Sequence, residues 1–276
     1  MSLDFSEDEV HRYSRHILLG EVGGVGQAAL RDARVLVIGA GGLGAPLALY
    51  LAAAGIGTIG LVDDDVVELS NLQRQVIHHT ASIGRSKVGS AAQTLAALNP
   101  LVRIRQHPVR LDAANVAGLV AQHDIVCDGS DNFATRYLLA DACVLGRRTL
   151  VSASVARFEG QLSTFKPHVG GPCYRCLYPE PPPPGTTPSC AEAGVLGAVT
   201  GVMGTLQATE VLKEVLQLGE GLSGRVLAWD ALAMRFHVFR LKPDPECALC
   251  GPHPRIHDLS AHATVPVARE GARAHG

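Results

Sequence analysis

The spacing of hydrophobic positions along this chain changes several times, and each change marks an element. Ser6 and Glu9 are spaced as a capping box, and Val10, Tyr13, Ile17 and Leu18 then recur at helical intervals, which predicts an amphipathic helix over 7–18. Residues 20–26 read as a flexible glycine-rich link with a short helix after it, ending at Leu30. The continuous apolar run Arg34-Val-Leu-Val-Ile38 predicts a buried strand that runs straight into Gly39-Ala-Gly-Gly-Leu-Gly44 and a helix over 45–54. Further strands are expected at 58–62, 102–105, 124–127 and 149–152, with helices over 86–98 and 132–145. This alternation predicts an α/β fold with a doubly wound, mainly parallel, Rossmann-like sheet.

The second half follows another rhythm. Residues 161–166 alternate as a strand, residues 178–188 form a proline-rich loop, and residues 194–218 read as one long helix. Residues 225–229 and 234–241 predict a terminal hairpin, so antiparallel strands should extend the parallel sheet. The expected organisation is a single ATP-binding adenylation domain over 1–251. It comprises a helical arm (6–33), a nucleotide-binding core (34–153) and a carrier-binding half (154–251), followed by a disordered tail (252–276).

Composition changes the picture in two ways. The chain has 276 residues, 47% hydrophobic but only 4% aromatic, and a formal net charge of −2, so bulk attraction to nucleic acid or anionic membrane is not expected. Any phosphate chemistry must come from a few placed cations. The apolar stretch 45–62 contains Pro46, Gly55, Gly57 and Gly60 and reads as helix, turn and strand, not as a membrane span. The acidic start, residues 1–8, has no apolar secretory core, and a cytoplasmic location is expected. In that reducing compartment the seven cysteines point to metal or catalysis before disulfides.

The glycine turn Gly39-x-Gly41-Gly42-x-Gly44 sits between a strand and a helix, where glycines let the backbone approach a phosphate and the helix end offers free N–H donors. Asp63, at the end of the next strand, is placed to accept from ribose hydroxyls. These features alone suit an NAD-linked oxidoreductase as well as an ATP enzyme. The segment Ser70-Asn-Leu-Gln-Arg74 and then Lys87 add an amide and two cations, and Asp131 ends a later strand. Attack on the α-phosphorus of a triphosphate, which carries about four negative charges, needs such cations and a metal-holding acid; hydride transfer needs neither. Asp131 also fits a second role, as cap of the helix starting near Asn132.

Taken in order, Arg12-Tyr-Ser-Arg15, the glycine turn, Asp63-x-Asp65, Ser70-Asn-Leu-Gln-Arg74-Gln75, Lys87 and Asp131-Asn132 resemble the MoeB/ThiF/HesA adenylyltransferases, bacterial relatives of ubiquitin-activating enzymes. Gln161, Cys173/Cys176, Cys190-x-Glu192-x-Gly194 and Cys247/Cys250 continue the resemblance, which covers about residues 6–251. It implies that Gly42 lines the phosphates, that Asp63 binds ribose, and that Asn71, Arg74 and Lys87 hold the triphosphate, with Ser70, Leu72 and Gln73 also in the nucleotide site. It further implies that Asp131 coordinates magnesium, that Asn132 lies beside the adenine or ribose, and that Arg15 reaches the γ-phosphate of a partner subunit in a homodimer. The implied reaction is ATP-dependent adenylation of the C-terminal glycine of a ubiquitin-like sulfur-carrier protein ending in Gly-Gly. A sulfurtransferase or cysteine desulfurase is then the implied sulfur donor. A nearer rival in the same superfamily adenylates a tRNA-base carboxylate.

Cys173-x-x-Cys176 and Cys247-x-x-Cys250 are two knuckles of the kind that closes a tetrahedral, structural zinc site. Cys190 admits two readings, a thiolate stabilised at a helix N-terminus or a loop cysteine without chemistry. Cys127 and Cys143 are expected to pack in strand and helix cores, and His78 and His79 to face solvent from a loop.

Overall fold

The structure is a computed structural model that describes residues 3–183 and 194–263. α1 (Glu7–Arg12) opens on the expected capping box, Glu9 N donating to Ser6 Oγ at 3.2 Å and Ser6 N to Glu9 Oε2 at 2.8 Å. The single helix expected over 7–18 is broken at Tyr13, and α2 (Ser14–Ile17) follows. Tyr13 turns inward: its ring is buried and its hydroxyl accepts from Asn99 Nδ2 at 2.8 Å. The expected glycine link is also corrected, because α3 (Gly23–Asp32) includes Gly24 and Gly26. A Cβ on Gly26 would lie 3.0 Å from Leu216, so a small residue here lets α3 approach a distant helix.

β1 (Arg34–Ile38), α4 (Gly44–Ala54), β2 (Thr58–Val62), α5 (Lys87–Leu98), β3 (Arg103–His107), α6 (Val116–Ala121), β4 (Ile125–Asp128), α7 (Phe133–Leu145) and β5 (Thr149–Ala156) form the doubly wound half. β6 (Glu159–Phe165), α8 (Tyr174–Leu177), α9 (Gly197–Leu216), β7 (Arg225–Asp230), β8 (Arg235–Arg240) and α10 (Ser260–Ala263) complete the described chain. One eight-stranded sheet runs β3-β2-β1-β4-β5-β6-β7-β8, parallel through β5 and antiparallel from there. The mixed sheet expected from the two rhythms is what the chain forms.

Alternate residues of β1 serve opposite cores. Val35 and Val37 join Leu47, Leu51, Leu95, Met203 and Val211, from α4, α5 and α9, on one face. Leu36 and Ile38 join Val116, Leu119, Leu138 and Leu139, from α6 and α7, on the other. Because β1 pairs with β2 on one side and β4 on the other, the crossovers diverge there and open a crevice at the carboxyl ends of those strands.

Other features also differ from expectation. α9 begins at Gly197, not 194, because Val195 pairs with Arg157 in a β-bridge. The six-residue α6 carries too few turns to show a period in the sequence. The chain past Gly251 is packed, not loose, at least to Ala263: Ile256 packs beside the knuckle cysteines, Leu259 lies against the second core, and His262 Nε2 donates to Asp141 Oδ2 at 2.7 Å. Residues 264–276 and residues 184–188 of the proline-rich loop lie outside the described residues. Among the described residues, no helix is long and apolar enough to cross a membrane.

Candidate functional site

At the end of β1 the chain turns at Gly39, whose φ of +88° disfavours any side chain; a Cβ there would also lie only 2.9 Å from Gly129 O. A Cβ on Gly44 would collide with the Gly39 carbonyl, so this glycine lets α4 start hard against the strand. The peptide at Ala40 is held from both sides. Its N–H donates to Asp63 Oδ2 at 2.8 Å, and its carbonyl accepts from His78 Nε2 at 2.9 Å. A carbonyl can only accept, so Nε2 carries the proton; in the neutral ring Nδ1 then accepts from Ser90 Oγ at 3.0 Å. Burial lowers the His78 pKa and favours that neutral ring. His78 is therefore buried behind the loop, which corrects the expectation that it faces solvent; His79 is exposed.

Asp63 accepts a second amide, Asp65 N at 2.9 Å. Burial raises its carboxyl above the ordinary value, while the Lys87 charge and the two amides pull the other way. Lys87 is nearly buried and pairs through Nζ with the exposed Asp65 Oδ2 at 2.7 Å. Glycine turn, Asp63 and Lys87 thus meet in one place. Among the described residues no side chain caps α4; Ala45 N donates to Gly41 O at 2.9 Å and Pro46 has no N–H, which leaves Gly44 N as the first-turn amide open to a ligand.

The segment 68–75 folds over this cradle. Glu68 N donates to Asn71 Oδ1 at 3.2 Å, Ser70 Oγ to Glu68 Oε2 at 3.2 Å, and Arg74 Nη1 to Ser70 O at 3.0 Å, so the loop sets Arg74 by its own backbone. Asn71 is buried, Leu72 half-buried and Gln73 exposed. Gln75 is buried, its Nε2 lies 3.7 Å from the position a Cβ on Gly41 would take, and its Oε1 has no partner among the described residues. The first turn of α9 closes the other side: Gly197 abuts Gln73 and Arg74, and Thr200 would lie 3.2 Å from a Cβ on Gly42.

The β4–α7 turn brings the remaining acid. Gly129 packs on the glycine turn, with 3.2 Å between the place of a Cβ on it and Gly44 N. Asp128 is buried and accepts from Ser130 N (3.0 Å), Ser130 Oγ (2.6 Å) and Ser152 Oγ (2.8 Å). Asp131 stands exposed at the tip of this turn. The helix cap is not Asp131 but Asn132, whose Oδ1 accepts from Thr135 N at 2.8 Å. Asp131 is thereby left to the crevice.

From Asp131 a groove of about 600 Å³ runs across β5 and β6 toward β7 and β8, with Arg136, Ser152, Gln161, Tyr178 and Trp229 among its walls. Tyr178 Oη donates to Gln161 Oε1 at 2.7 Å. Sequence reasoning missed Arg136; its one available signal was its position a helical turn after Asn132. His78, Thr200 and the role of Asp128 were missed because each acts only through tertiary packing. Arg15 is exposed on α2 and, among the described residues, pairs with no group of this crevice.

The two knuckles do meet. Sγ–Sγ distances are 3.8 Å for Cys173–Cys176, 3.5 Å for Cys173–Cys247 and 3.4 Å for Cys176–Cys250. A tetrahedron of thiolates at zinc has sulfur edges of about 3.8 Å, given Zn–S bonds of about 2.3 Å. The donor set therefore fits a closed structural metal site. The Cys176 thiol is lowered to about 5, chiefly by its hydrogen bond with Cys173. Cys127 and Cys143 are buried and burial pushes both thiols up, as packing residues require. Cys190 lies outside the described residues.

Residues 13–249 match the ThiF family. The chain is 54% identical over 243 residues to the "probable adenylyltransferase/sulfurtransferase MoeZ" of Mycobacterium tuberculosis, covering 87% of this chain and 62% of that protein. It therefore spans only about three fifths of that relative's length. It is 50% identical to the "SAMP-activating enzyme E1" of Haloferax volcanii, covering 91% of this chain and 92% of the relative. It is 46% identical to the "sulfur carrier protein adenylyltransferase" of Thermus thermophilus, covering 92% and 96%. Among solved structures, Escherichia coli MccB with AMPCPP and MccA superposes with a TM-score of 0.77 at 23% identity, over 90% of this chain and 75% of that one. That likeness speaks for the fold alone.

Proposed function

The chain belongs to the ThiF family, and from that premise we propose that it adenylates the C-terminal glycine carboxylate of a small ubiquitin-like sulfur-carrier protein at the expense of ATP. The observation that carries this reading is the junction of two unlike spaces. A cradle of glycines, Asp63, Arg74 and Lys87 is packed through Gly129 against the turn bearing Asp131, and Asp131 lines a groove of about 600 Å³ that runs on across β5, β6 and β7. A carrier tail lying in the groove presents its carboxylate to the α-phosphorus.

Each residue then has a chemical task. Gly42 and the Gly44 amide at the start of α4 approach the phosphates, and Asp63 accepts from ribose hydroxyls. Ser70, Asn71, Leu72 and Gln73 shape the loop from which Arg74 reaches the triphosphate, and Lys87 adds charge from the other side. The exposed carboxylate of Asp131 suits a magnesium ion, which would supply charge neutralisation at the phosphates when bound. Catalysis of this kind is mainly positioning and electrostatics and needs no protein base. The four cysteines would hold zinc as a staple between α8 and the segment after β8. Arg15 would serve the nucleotide of a second subunit in a homodimer. A nicotinamide cofactor would account for the glycine turn and Asp63 but leave Arg74, Lys87 and the groove without a use.

Intact mass of a Gly-Gly-ended carrier of the host, incubated with this chain and Mg-ATP, tests the reading. The carrier gains one adenylyl group and pyrophosphate is released. Recovery of unmodified carrier with every such protein of the host would overturn it.

A further inference from the structure

Arg136 is a cation that the fold encloses without fully answering its charge. Its side chain is only 13% exposed. Nη2 donates to Ser130 O at 2.8 Å, and the Phe133 ring lies 5.8 Å from the guanidinium carbon. Nε has no hydrogen-bond partner among the described residues. The carboxylate it faces, Asp128 Oδ2, is 3.9 Å away, beyond hydrogen-bond reach. Asp128 is moreover already engaged by Ser130 and Ser152.

An enclosed guanidinium carries five N–H donors in a planar fork and loses hydration that only acceptors or an anion can replace. One bond to a backbone carbonyl does not use that fork. The groove wall that Arg136 shares with Asp131 is where an anion can arrive. A carboxylate brought there while no cation sits on Asp131 would be repelled by it, since like charges at close range in a low-dielectric cleft repel. A cation on the same wall offsets that repulsion, and arginine matches a carboxylate bidentately.

We propose that Arg136 receives the terminal carboxylate of the substrate tail and holds it beside Asp131, an assignment that rests on the adenylation reading above. Its bond to Ser130 O gives it a second consequence: the residue that reads the tail also braces the turn that presents Asp131. The anionic oxygens it meets belong to the tail and not to the nucleotide, and the two sources separate experimentally.

The experiment compares a Gly-Gly-ended carrier of the host as free acid and as C-terminal amide, by titration calorimetry, with the wild type, Arg136→Gln and Arg136→Lys. The wild type binds the acid about tenfold or more tightly than the amide, in line with a charged hydrogen bond of about 1.5–3 kcal/mol. Arg136→Gln binds both alike, Arg136→Lys keeps part of the preference, and ATP affinity stays within about threefold in all three. An undiminished acid preference in Arg136→Gln, with the wild type forming the adenylyl adduct, overturns the assignment and leaves the adenylation reading intact. A loss of ATP affinity in both variants that parallels the loss of carrier binding also overturns it, giving Arg136 to the turn or the phosphates. A wild type that neither binds the carrier nor forms the adduct overturns both.

Discussion

Two glycines in the same chain illustrate opposite uses of a missing side chain. Gly44 has no room for a Cβ, since the Gly39 carbonyl occupies the place. Gly24 lies inside α3, where a Cβ would meet nothing nearer than Phe5 at 4.0 Å. Gly44→Ala must push α4 off β1; it lowers the thermal midpoint by several degrees and removes measurable ATP binding, read by calorimetry. Gly24→Ala raises stability by about 0.5–1 kcal/mol through helix propensity, read from the urea midpoint, and leaves ATP binding alone. The sequence pattern made Gly39 to Gly44 legible as a cradle because each glycine is spaced by the turn itself. It could not show that Ala40 is the residue clamped, by Asp63 on its N–H and His78 on its carbonyl. Those partners arrive from 23 and 38 residues away, and a histidine pair between helices looks the same whether one ring is buried or neither. Of the two tasks expected of Asp131, capping falls to Asn132: adjacency in sequence did not say which side chain turns back to the Thr135 amide.

At the scale of elements, legibility followed burial on both faces. β1 and β2 match the expected residues because a strand covered on both sides is continuously apolar. β5 runs four residues beyond its expected end, where it pairs with β6 away from the parallel core. The helical arm was misread because Tyr13 fits a helical period yet points into a pocket closed by Asn99, and because glycines that permit close packing look like glycines in a linker. The packed segment after Gly251 has no period to read; it is held by Ile256, Leu259 and the His262–Asp141 pair. Burial disfavours the charge on Asp141, but hydrogen bonds from Arg175 and His262 outweigh it and hold the carboxyl low. Buried histidines give the elements a pH dependence of definite sign. His78 behind the glycine turn and His123 before β4 both have pKa values lowered by burial from the ordinary 6.5. The unfolded chain therefore binds more protons than the folded one as pH falls through 6.5. Their contribution is fully present above that value and is lost below it. The urea midpoint accordingly falls between about pH 7.5 and pH 5.5, and His123→Gln, though less stable at neutral pH, shows a shallower fall.

For the whole molecule, the cysteine knuckles and the groove are features that only the assembled sheet creates. The knuckle spacing was legible because C-x-x-C is a local geometry, but its meeting across 74 residues depends on the return of the chain past β8. The groove was not legible, since its walls come from α7, α8, β5, β6, β7 and β8 together with Asp131 and Tyr178 from the turns. If the staple is metallic, protein purified without chelator carries about one zinc per chain by emission spectroscopy, and Cys173→Ser with Cys247→Ser lowers both the zinc content and the thermal midpoint. The proposed activity depends on a more exposed claim, that a tail carboxylate and a triphosphate are brought together against their mutual repulsion by Arg74, Lys87 and a divalent ion at Asp131. Exchange of labelled pyrophosphate into ATP, in the presence of a Gly-Gly-ended carrier of the host, reads that encounter directly. The account predicts carrier-dependent exchange in the wild type and a fall of about a hundredfold or more in Arg74→Ala and Asp131→Ala; exchange at the wild-type rate in either variant would contradict it.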